Sequence, residues 1–151
     1  MEISRVGSSK RLEEFNCIAI VDTSVILLIS AREAHLDDMI DLIPGCAAVV
    51  LTPVIGELQL IARKGNSEKS HIAKWALENL LRLLNVVEVP VMEQRKVDDL
   101  IVEFAEEMKK AKRVLIVTAD TKLKNDAVRR GINVLWYRKE KKGFEMLIDI
   151  I

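Results

Sequence analysis

The sequence contains few of the residues that build disulfide-rich, zinc-binding or base-stacking proteins. Its 151 residues include two cysteines, three prolines, six glycines and 4% aromatic residues. Cys17 and Cys46 lack CxxC spacing, which argues against a disulfide scaffold, a zinc cluster or a thioredoxin-type site. A reduced, cytoplasmic environment is therefore the default expectation. So few aromatics also argue against a broad base-stacking platform for single-stranded nucleic acid.

Long hydrophobic runs and a net charge are also missing. The longest apolar runs, such as residues 25–29 and 114–117, are far shorter than the roughly 18 residues that a membrane span needs. The first sixteen residues are polar and lack the apolar stretch of a secretory signal. We therefore expect no membrane association. Basic and acidic residues number 23 each, which excludes a protein that coats nucleic acid by bulk charge alone.

The charge is nonetheless distributed unevenly along the chain. Residues 109–142 contain twelve Lys and Arg but three acids, a net charge of +9 that the rest of the chain balances. Such asymmetry is typical of a face that binds a polyanion. Basic residues on solvated helix faces and at strand ends explain it as well.

Short runs rich in Val and Ile alternate with helical patterns. The runs are continuous rather than alternating, which is typical of strands covered on both faces. Strands are predicted at residues 17–21, 47–51, 86–89, 114–117 and 133–136, and helices at residues 54–63, 67–84, 97–110 and 123–130. This alternation predicts an α/β fold with a parallel sheet. We expect one domain over residues 17–151, preceded by a polar extension of residues 1–16.

Acidic residues fall at four predicted strand-to-helix junctions. Asp22 ends the first strand, Glu57 follows the second, Asp98 and Asp99 follow the third, and Asp120 follows the fourth. Each acid alone is explained by helix capping or by the helix dipole. Together they crowd like charges at the sheet edge where α/β proteins form their sites.

Clustered carboxylates repel one another unless a cation is present, and their oxygens suit Mg²⁺ or Mn²⁺. The pattern therefore predicts metal-dependent phosphodiester hydrolysis. The sequence lacks the motifs of other chemistries. It has neither the GxxxxGK[ST] nor the GxGxxG motif of nucleotide-binding loops, and it has no GxSxG motif of a serine nucleophile. His35 and His71 have no metal-ligand spacing, and we expect both to be surface or helix residues.

Four short motifs resemble those of the PIN-domain nucleases. They are VDTS at 21–24, VIGEL at 54–58, DDLI at 98–101 and VTAD at 117–120, and the resemblance extends over residues 17–138. It implies a three-layer α/β/α sandwich with a central parallel sheet of about five strands. It also implies an endoribonuclease that cleaves single-stranded RNA with Mg²⁺ or Mn²⁺. The motif context resembles the archaeal and ribosomal-RNA-processing PIN domains more than the toxins of toxin–antitoxin pairs.

The resemblance also implies roles for individual residues. The catalytic acids are Asp22, Glu57, Asp98 and Asp120, of which Asp22, Asp98 and Asp120 are the metal ligands. Supporting residues are Thr23, Ser24, Asp99, Thr118 and, more weakly, Asp126. The RNA-binding residues are Lys122, Lys124, Arg129, Arg130 and Arg138.

Other functions and partners stay open at this point. A PIN scaffold that binds RNA or protein without cleavage is one alternative, a toxin is another, and a phospho-acceptor domain of the receiver type is a third. The RNA is single-stranded or structured. A homodimer through the apolar stripe of residues 67–84 or the apolar C-terminal tail, and a protein partner such as an antitoxin or an assembly factor, are further interactions to consider.

Overall fold

Five apolar strands lie where the sequence predicts them, and two more flank them. The computed structural model describes residues 14–90 and 95–148, and the backbone alone of residues 3–4. The strands are β1 (Ile3–Ser4), β2 (Cys17–Val21), β3 (Cys46–Leu51), β4 (Asn85–Val87), β5 (Arg113–Thr118), β6 (Asn133–Arg138) and β7 (Gly143–Leu147). The helices are α1 (Thr23–Ser30), α2 (Leu36–Asp41), α3 (Thr52–Arg63), α4 (Glu68–Glu78), α5 (Val97–Met108) and α6 (Thr121–Arg129).

The described strands form one sheet in the order β1-β4-β3-β2-β5-β6-β7. The five central strands are parallel, and β1 and β7 pair antiparallel at the two edges. Helices flank the sheet, so the predicted α/β sandwich with a parallel sheet of about five strands is confirmed. The antiparallel edge strands were not predicted.

The chain changes direction across the sheet at β2. From β2 it extends through β3 to β4 on one side, and then returns to the other side for β5 and β6. Right-handed connections place α1 to α4 on one face and α5 with α6 on the other, in agreement with the packing of α1 and α3 against α4. The parallel strands therefore have the order 3-2-1-4-5, not the 2-1-3-4-5 order of flavodoxin-like folds, to which the phospho-acceptor alternative belongs.

The core lies on both faces of the central strands. All five residues of β2 are buried, and Ile18, Ile20 and Ile116 are completely inaccessible to solvent. This burial explains why the strand sequences are continuously apolar. The junctions at the carboxyl ends of β2 and β5 consequently stand on a rigid, closely packed base.

The predicted helix over residues 67–84 is wrong in its second half. α4 ends at Glu78, Asn79 leaves helical geometry with φ −123°, and residues 80–83 form a separate 3₁₀ turn. The apolar stripe continues through this break because Leu80 and Leu84 are both buried. Burial therefore preserved the periodic pattern although the helix itself did not continue.

The sequence did not predict α1, α2 or β7, and each omission has a physical cause. α1 is apolar around most of its circumference, so its period cannot be read, and α2 has only six residues. β6 and β7 are joined by a turn in which Lys142 has φ 51°. Glycine or asparagine usually takes that conformation in hairpins, so the sequence carried no turn signal.

Several other predictions fall near the ends of the chain. Ile3–Ser4, within the predicted polar extension, pair with β4 as a strand, while residues 1–2 and 5–13 lie outside the described residues. The apolar tail beyond residue 148 also lies outside them. Within the described segments, no helix combines the length and hydrophobicity required to cross a bilayer.

Cys17 and Cys46 form a disulfide, although their spacing in the sequence argued against a disulfide scaffold. Their Cα atoms are 4.4 Å apart because β2 and β3 pair in a register that places the two cysteines opposite each other. The two residues are 29 positions apart in sequence, which is why their spacing suggested no pairing. The disulfide lies at the amino ends of these strands, opposite the edge that carries the acids.

Candidate active site

Asp22 and Asp120 follow neighbouring parallel strands at the point where the strand order reverses. Asp22 comes directly after β2, and Asp120 comes two residues after the end of β5. The backbone N–H of Asp22 donates to the carbonyl of Val117 at 2.9 Å, which extends the β2–β5 pairing to the site. In open α/β sheets this crevice is where ligands bind.

The carboxylate of Asp22 is buried and clamped by two hydroxyl groups. Ser24 Oγ donates to Asp22 Oδ2 at 2.7 Å, and Thr118 Oγ1 donates to the same oxygen at 2.9 Å. Burial raises the pKa of Asp22, and the hydrogen bonds from Ser24 and Thr118 oppose that rise. The two hydroxyls therefore fix the orientation of a carboxylate that is 3% exposed.

The same two hydroxyls also hold the end of β5. The N–H of Ala119 donates to Ser24 Oγ at 3.0 Å, and the N–H of Asp120 donates to Thr118 Oγ1 at 3.0 Å. Each hydroxyl thus accepts from the backbone that leads to Asp120 and donates to Asp22. Asp22 and Asp120 are consequently held in a fixed relation to each other.

Glu57 reaches the site from α3. Pro53 lies in the first turn of this helix, where no N–H donor is needed, and Thr52 exchanges hydrogen bonds with the backbone of Val89 after β4. Glu57 is partly buried, and its Oε1 accepts a hydrogen bond of 2.5 Å from Thr23 Oγ1. Thr23 belongs to the first turn of α1, so the residues after Asp22 also position Glu57.

Asp98 lies in the first turn of α5 and completes the cluster. Its pKa is raised to about 6, first by burial and then by the negative charges of Asp22, Asp120, Glu57 and Asp99, in that order. Asp22, Asp120 and Glu57 therefore lie close enough to Asp98 to raise its pKa. Carboxylates held this close to one another favour the protonated form of the most crowded group, here Asp98.

Asp120 has a structural role as well as its place in the cluster. It is the N-cap of α6, and its Oδ1 accepts a hydrogen bond of 3.0 Å from the N–H of Leu123. The capping explanation proposed from the sequence therefore holds for Asp120. For Asp22, which occupies the corresponding position before α1, no side-chain cap is formed.

Asp126 lies beside Asp99, and its role as a supporting residue stays a prediction. It forms an ion pair of 2.8 Å with Arg129, and it is not among the charges that perturb Asp98. It instead lines a shallow cavity of about 270 Å³ together with Asp99. The other residues around this cavity are Arg95, Val102, Glu103 and Arg130, and Arg95 pairs there with Glu103.

Three of the five predicted RNA-binding residues are paired with acids. Arg129 pairs with Asp126, Arg130 pairs with Glu106, and Arg138 pairs with both Glu140 and Glu145. The two lysines differ, because Lys122 is exposed and forms no ion pair with any residue that the structure describes. Lys124 lies over Trp136, with its Nζ 4.1 Å from the ring centroid.

Trp136 is a candidate that the sequence analysis missed. It pairs in register with Thr118 on β5, so it lies at the edge that carries the acids. Lys124 and Arg138 both stack on its ring, at 4.1 and 5.4 Å from the centroid. Its position opposite Thr118 depends on the pairing of β5 with β6. A local sequence motif does not predict that pairing. His35 and His71 are exposed, as expected.

The acids do not form a closed metal cage. Within residues 14–90 and 95–148, no three His, Cys, Asp or Glu side chains are placed so that they could hold one metal ion together. The assignment of Asp22, Asp98 and Asp120 as metal ligands stays a prediction.

The chain belongs to the PIN-like domain family, whose model matches residues 19–140. This range contains the whole site and the strands that support it. A search of curated proteins returned no match.

Two solved structures have the same fold. One is titled "Structure of the PIN domain endonuclease Utp24": 18% of residues are identical, 89% of this chain and 95% of the other are covered, and the TM-score is 0.59. The other is a domain of a functionally unknown protein from Methanocaldococcus jannaschii, also 18% identical, covering 89% and 97% of the two chains with a TM-score of 0.56. At this identity the likeness concerns the fold alone.

Proposed function

We propose that this protein is a divalent-metal-dependent endoribonuclease that cleaves single-stranded RNA. Membership of the PIN-like family and the endonuclease among its structural neighbours support a nuclease-type role. The observation that carries the finer proposal is the electrostatic convergence on Asp98, whose pKa rises to about 6 beside Asp22, Asp120 and Glu57. A fold gains nothing from such crowding, whereas carboxylate oxygens gathered at one point are the ligands that Mg²⁺ or Mn²⁺ prefers.

The donor set fits a hard divalent cation. All four converging groups are carboxylates, and Asp22 is already oriented by Ser24 and Thr118. Mg²⁺ commonly binds through one or two carboxylates and retains several waters, so a cage of three protein ligands is not required. The predicted ligands are Asp22, Asp98 and Asp120, of which one or two would bind the ion directly and the remainder through its waters. When bound, it supplies charge stabilisation at the phosphate and lowers the pKa of water.

The other residues of the site position groups and move protons. Glu57 is the candidate general base, since it is partly buried and oriented by Thr23. Ser24 and Thr118 hold Asp22 in one rotamer and prevent its rotation as charge changes at the phosphate. The backbone that leads to Asp120 is fixed by the same hydroxyls. Little movement is then needed in the transition state, which is the condition for efficient electrostatic stabilisation.

The RNA backbone would approach over β6 and α6. Lys122 and Lys124 lie in the first half of α6, directly after Asp120, and Trp136 lies beside Lys124. Arg129, Arg130 and Arg138 would have to exchange their surface ion pairs for contacts with RNA, whereas Lys122 would not. Binding through phosphate contacts makes the affinity fall as salt increases.

The test is cleavage of a fluorescent single-stranded RNA of mixed sequence with Mn²⁺, Mg²⁺ or EDTA. Asp22→Asn and Asp120→Asn should each abolish metal-dependent cleavage. Asp41→Asn, which alters an exposed acid at the end of α2, is the matched control and should cleave like the parent. Circular dichroism confirms that all variants are folded.

Two results would contradict the proposal. Cleavage that survives Asp22→Asn or EDTA would mean that the acid cluster is not the active site. RNA binding without cleavage at saturating Mn²⁺ would favour a non-catalytic binding module instead. Localisation in the cytoplasm, a homodimer and a protein partner stay predictions that this experiment does not address.

A further inference from the structure

A second cavity, of about 520 Å³, lies beside the β6–β7 hairpin and outside the acid cluster. Its wall combines the segment between α1 and α2 with the end of β6 and the hairpin turn. The lining residues are Arg32, Glu33, His35, Tyr137, Lys139 and Lys142. Four of these six are basic or histidine, and residues 32–35 lie about a hundred positions from the others in sequence. A local sequence motif could therefore not have predicted the cavity.

The cavity is held together by a buried tyrosine. Tyr137 is 3% exposed, and its hydroxyl donates to the backbone carbonyl of Glu33 at 2.8 Å. Its ring makes a T-shaped contact with Phe144 on β7, with centroids 5.1 Å apart. These contacts join the segment after α1 to the hairpin, so the two basic walls are fixed relative to each other.

The basic residues of this cavity are not neutralised. Arg32, Lys139 and Lys142 are exposed, and none forms an ion pair with an acid in the described part of the chain. Glu33 contributes the one acid to the lining, so the cationic charge exceeds the anionic charge by two, before any contribution from His35. The arginines on α6 and β6 differ, because each of them is paired with an acid.

Two of these residues also have an unusual backbone conformation. Arg32 has φ 63° and Lys142 has φ 51°, and in the described residues they are the non-glycine positions with positive φ. Side chains other than glycine, asparagine and aspartate seldom occupy this region, and such positions concentrate at functional sites. Arg32 directly follows the C-cap of α1 and Lys142 lies in the hairpin turn, where left-handed backbone is common, and these two turns place both side chains at the same cavity although 110 positions separate them.

The cavity lies at the same edge of the sheet as the acid cluster. β6 runs parallel to β5, and Thr118 pairs with Trp136, so Tyr137 and the hairpin follow at the carboxyl end. β6 is two strands from β2 in the sheet order, a distance of roughly 10 Å at ordinary strand spacing. A flexible polyanion bound at the acids could therefore reach the cavity.

We propose that this cavity binds a phosphate group of the RNA strand, one or more nucleotides away from the phosphodiester at the acid cluster. The inference rests on the proposed function, because it takes RNA as the substrate. Guanidinium and ammonium groups bind phosphate oxygens. Three such groups line this cavity, and a single acid, Glu33, lies among them. The cavity then sets the direction in which the strand crosses the sheet edge.

The experiment measures binding of a fluorescent single-stranded RNA by anisotropy in EDTA, so that no cleavage occurs. The test variant is Arg32→Gln/Lys139→Gln/Lys142→Gln. The control is Lys64→Gln/Lys69→Gln. It removes two exposed lysines where α3 ends and α4 begins, away from the amino end of α3. We expect the test variant to bind about tenfold or more weakly, and the control to bind like the parent. The plot of log affinity against log salt should become less steep by about two. The test variant removes three cationic side chains, and each phosphate contact contributes roughly 0.7 to the slope.

Three outcomes would overturn the proposal. The first is equal RNA affinity for the parent and the triple variant, and the second is an equal loss in the control. The third is equally tight, cavity-dependent binding of a poly-glutamate peptide, which would identify a site for acidic protein segments instead. Lys139→Glu alone should weaken binding further than Lys139→Gln and guards against a folding artefact in the triple variant.

The result is separable from the nuclease proposal. If the cavity variants weaken binding but neither they nor the parent cleave RNA with Mn²⁺, the phosphate site stands and the catalytic proposal fails. If the parent cleaves RNA and the cavity variants bind RNA as tightly as the parent, the catalytic proposal stands and the phosphate-site proposal fails.

Discussion

Thr23 and Glu57 are joined by a hydrogen bond of 2.5 Å although 34 residues separate them in sequence. Thr23 Oγ1 donates to Glu57 Oε1, so the first turn of α1 orients the acid that α3 supplies. The residue after Asp22 therefore determines the direction of a second carboxylate in the cluster. This contact makes Thr23 a positioning residue for the proposed general base.

Removing that hydroxyl should reduce turnover without weakening RNA binding. We expect Thr23→Val to lower kcat about tenfold, because one hydrogen bond to a charged group contributes about 1.5 kcal/mol. KM should be unchanged, since Thr23 has no role in binding the RNA backbone. Thr23→Ser retains the donor and should restore kcat. A parallel fall in kcat with both variants would contradict this role.

The hydroxyl of Thr118 should contribute more to the free energy of unfolding at high pH than at low pH. Its hydroxyl donates to the buried carboxylate of Asp22, whose pKa is already raised by burial. Thr118→Val removes a donor to the charged form, so we expect a loss of about 1–3 kcal/mol in unfolding free energy at about pH 8. The loss should shrink at about pH 4, where Asp22 is increasingly neutral. Urea denaturation in EDTA measures it, with Thr118→Ser as the control; an equal loss at both pH values would refute the assignment.

Asp98 should destabilise the metal-free protein at neutral pH. Its pKa in the folded state is about 6, compared with an ordinary value of 3.8. Because the folded state binds the proton more tightly, stability falls as pH rises from 3.8 to about 6, and the full cost is present above that range. Asp98→Asn should therefore stabilise the protein above pH 6 but not below pH 3.8.

The expected gain for Asp98→Asn is about 1 kcal/mol, because the half-buried side chain is partly screened by solvent. Thermal unfolding in EDTA across this range is the measurement. Asp41→Asn, an exposed acid on α2, should cause no such pH-dependent change. A gain that is the same at every pH would indicate a cause other than the charge on Asp98.

Reduction of the disulfide between Cys17 and Cys46 should lower stability without altering the site. The bond closes a loop over a sequence separation of 29 residues, which corresponds to about 3.6 kcal/mol in the chain-entropy description. We expect the melting temperature to fall in reductant. Cys17→Ala/Cys46→Ala should melt near the reduced parent and should not respond to reductant. No change on reduction would mean that the bond does not form or does not stabilise the fold.

Much of the fold could be predicted from the sequence because its signals are local. Parallel strands buried on both faces are continuously apolar, as in residues 17–21 and 114–117, and helices between them carry a readable stripe. The acids were found for a related reason. Asp22 and Asp120 follow apolar strands directly, and the parallel arrangement places all such junctions at one edge. Their convergence on Asp98 is the structural counterpart of that pattern.

What the sequence could not supply depends on contacts between distant segments. The hairpin of β6 and β7 has Lys142 where glycine would have signalled the turn, and α1 is too uniformly apolar to show its period. The partners of Arg129, Arg130 and Arg138 decide whether these charges are available, and two of the four acids involved, Glu106 and Glu145, lie on other elements.

The sequence by itself determined the class of fold and the placement of acids at one edge of the sheet, because both follow from short-range patterns of apolar and charged residues. Only the tertiary structure decided which side chains act together. It paired Cys17 with Cys46 through strand register, clamped Asp22 between Ser24 and Thr118, and brought Arg32 to the same cavity as Lys142. These relationships arise from packing across the sheet, where residues far apart in sequence become neighbours.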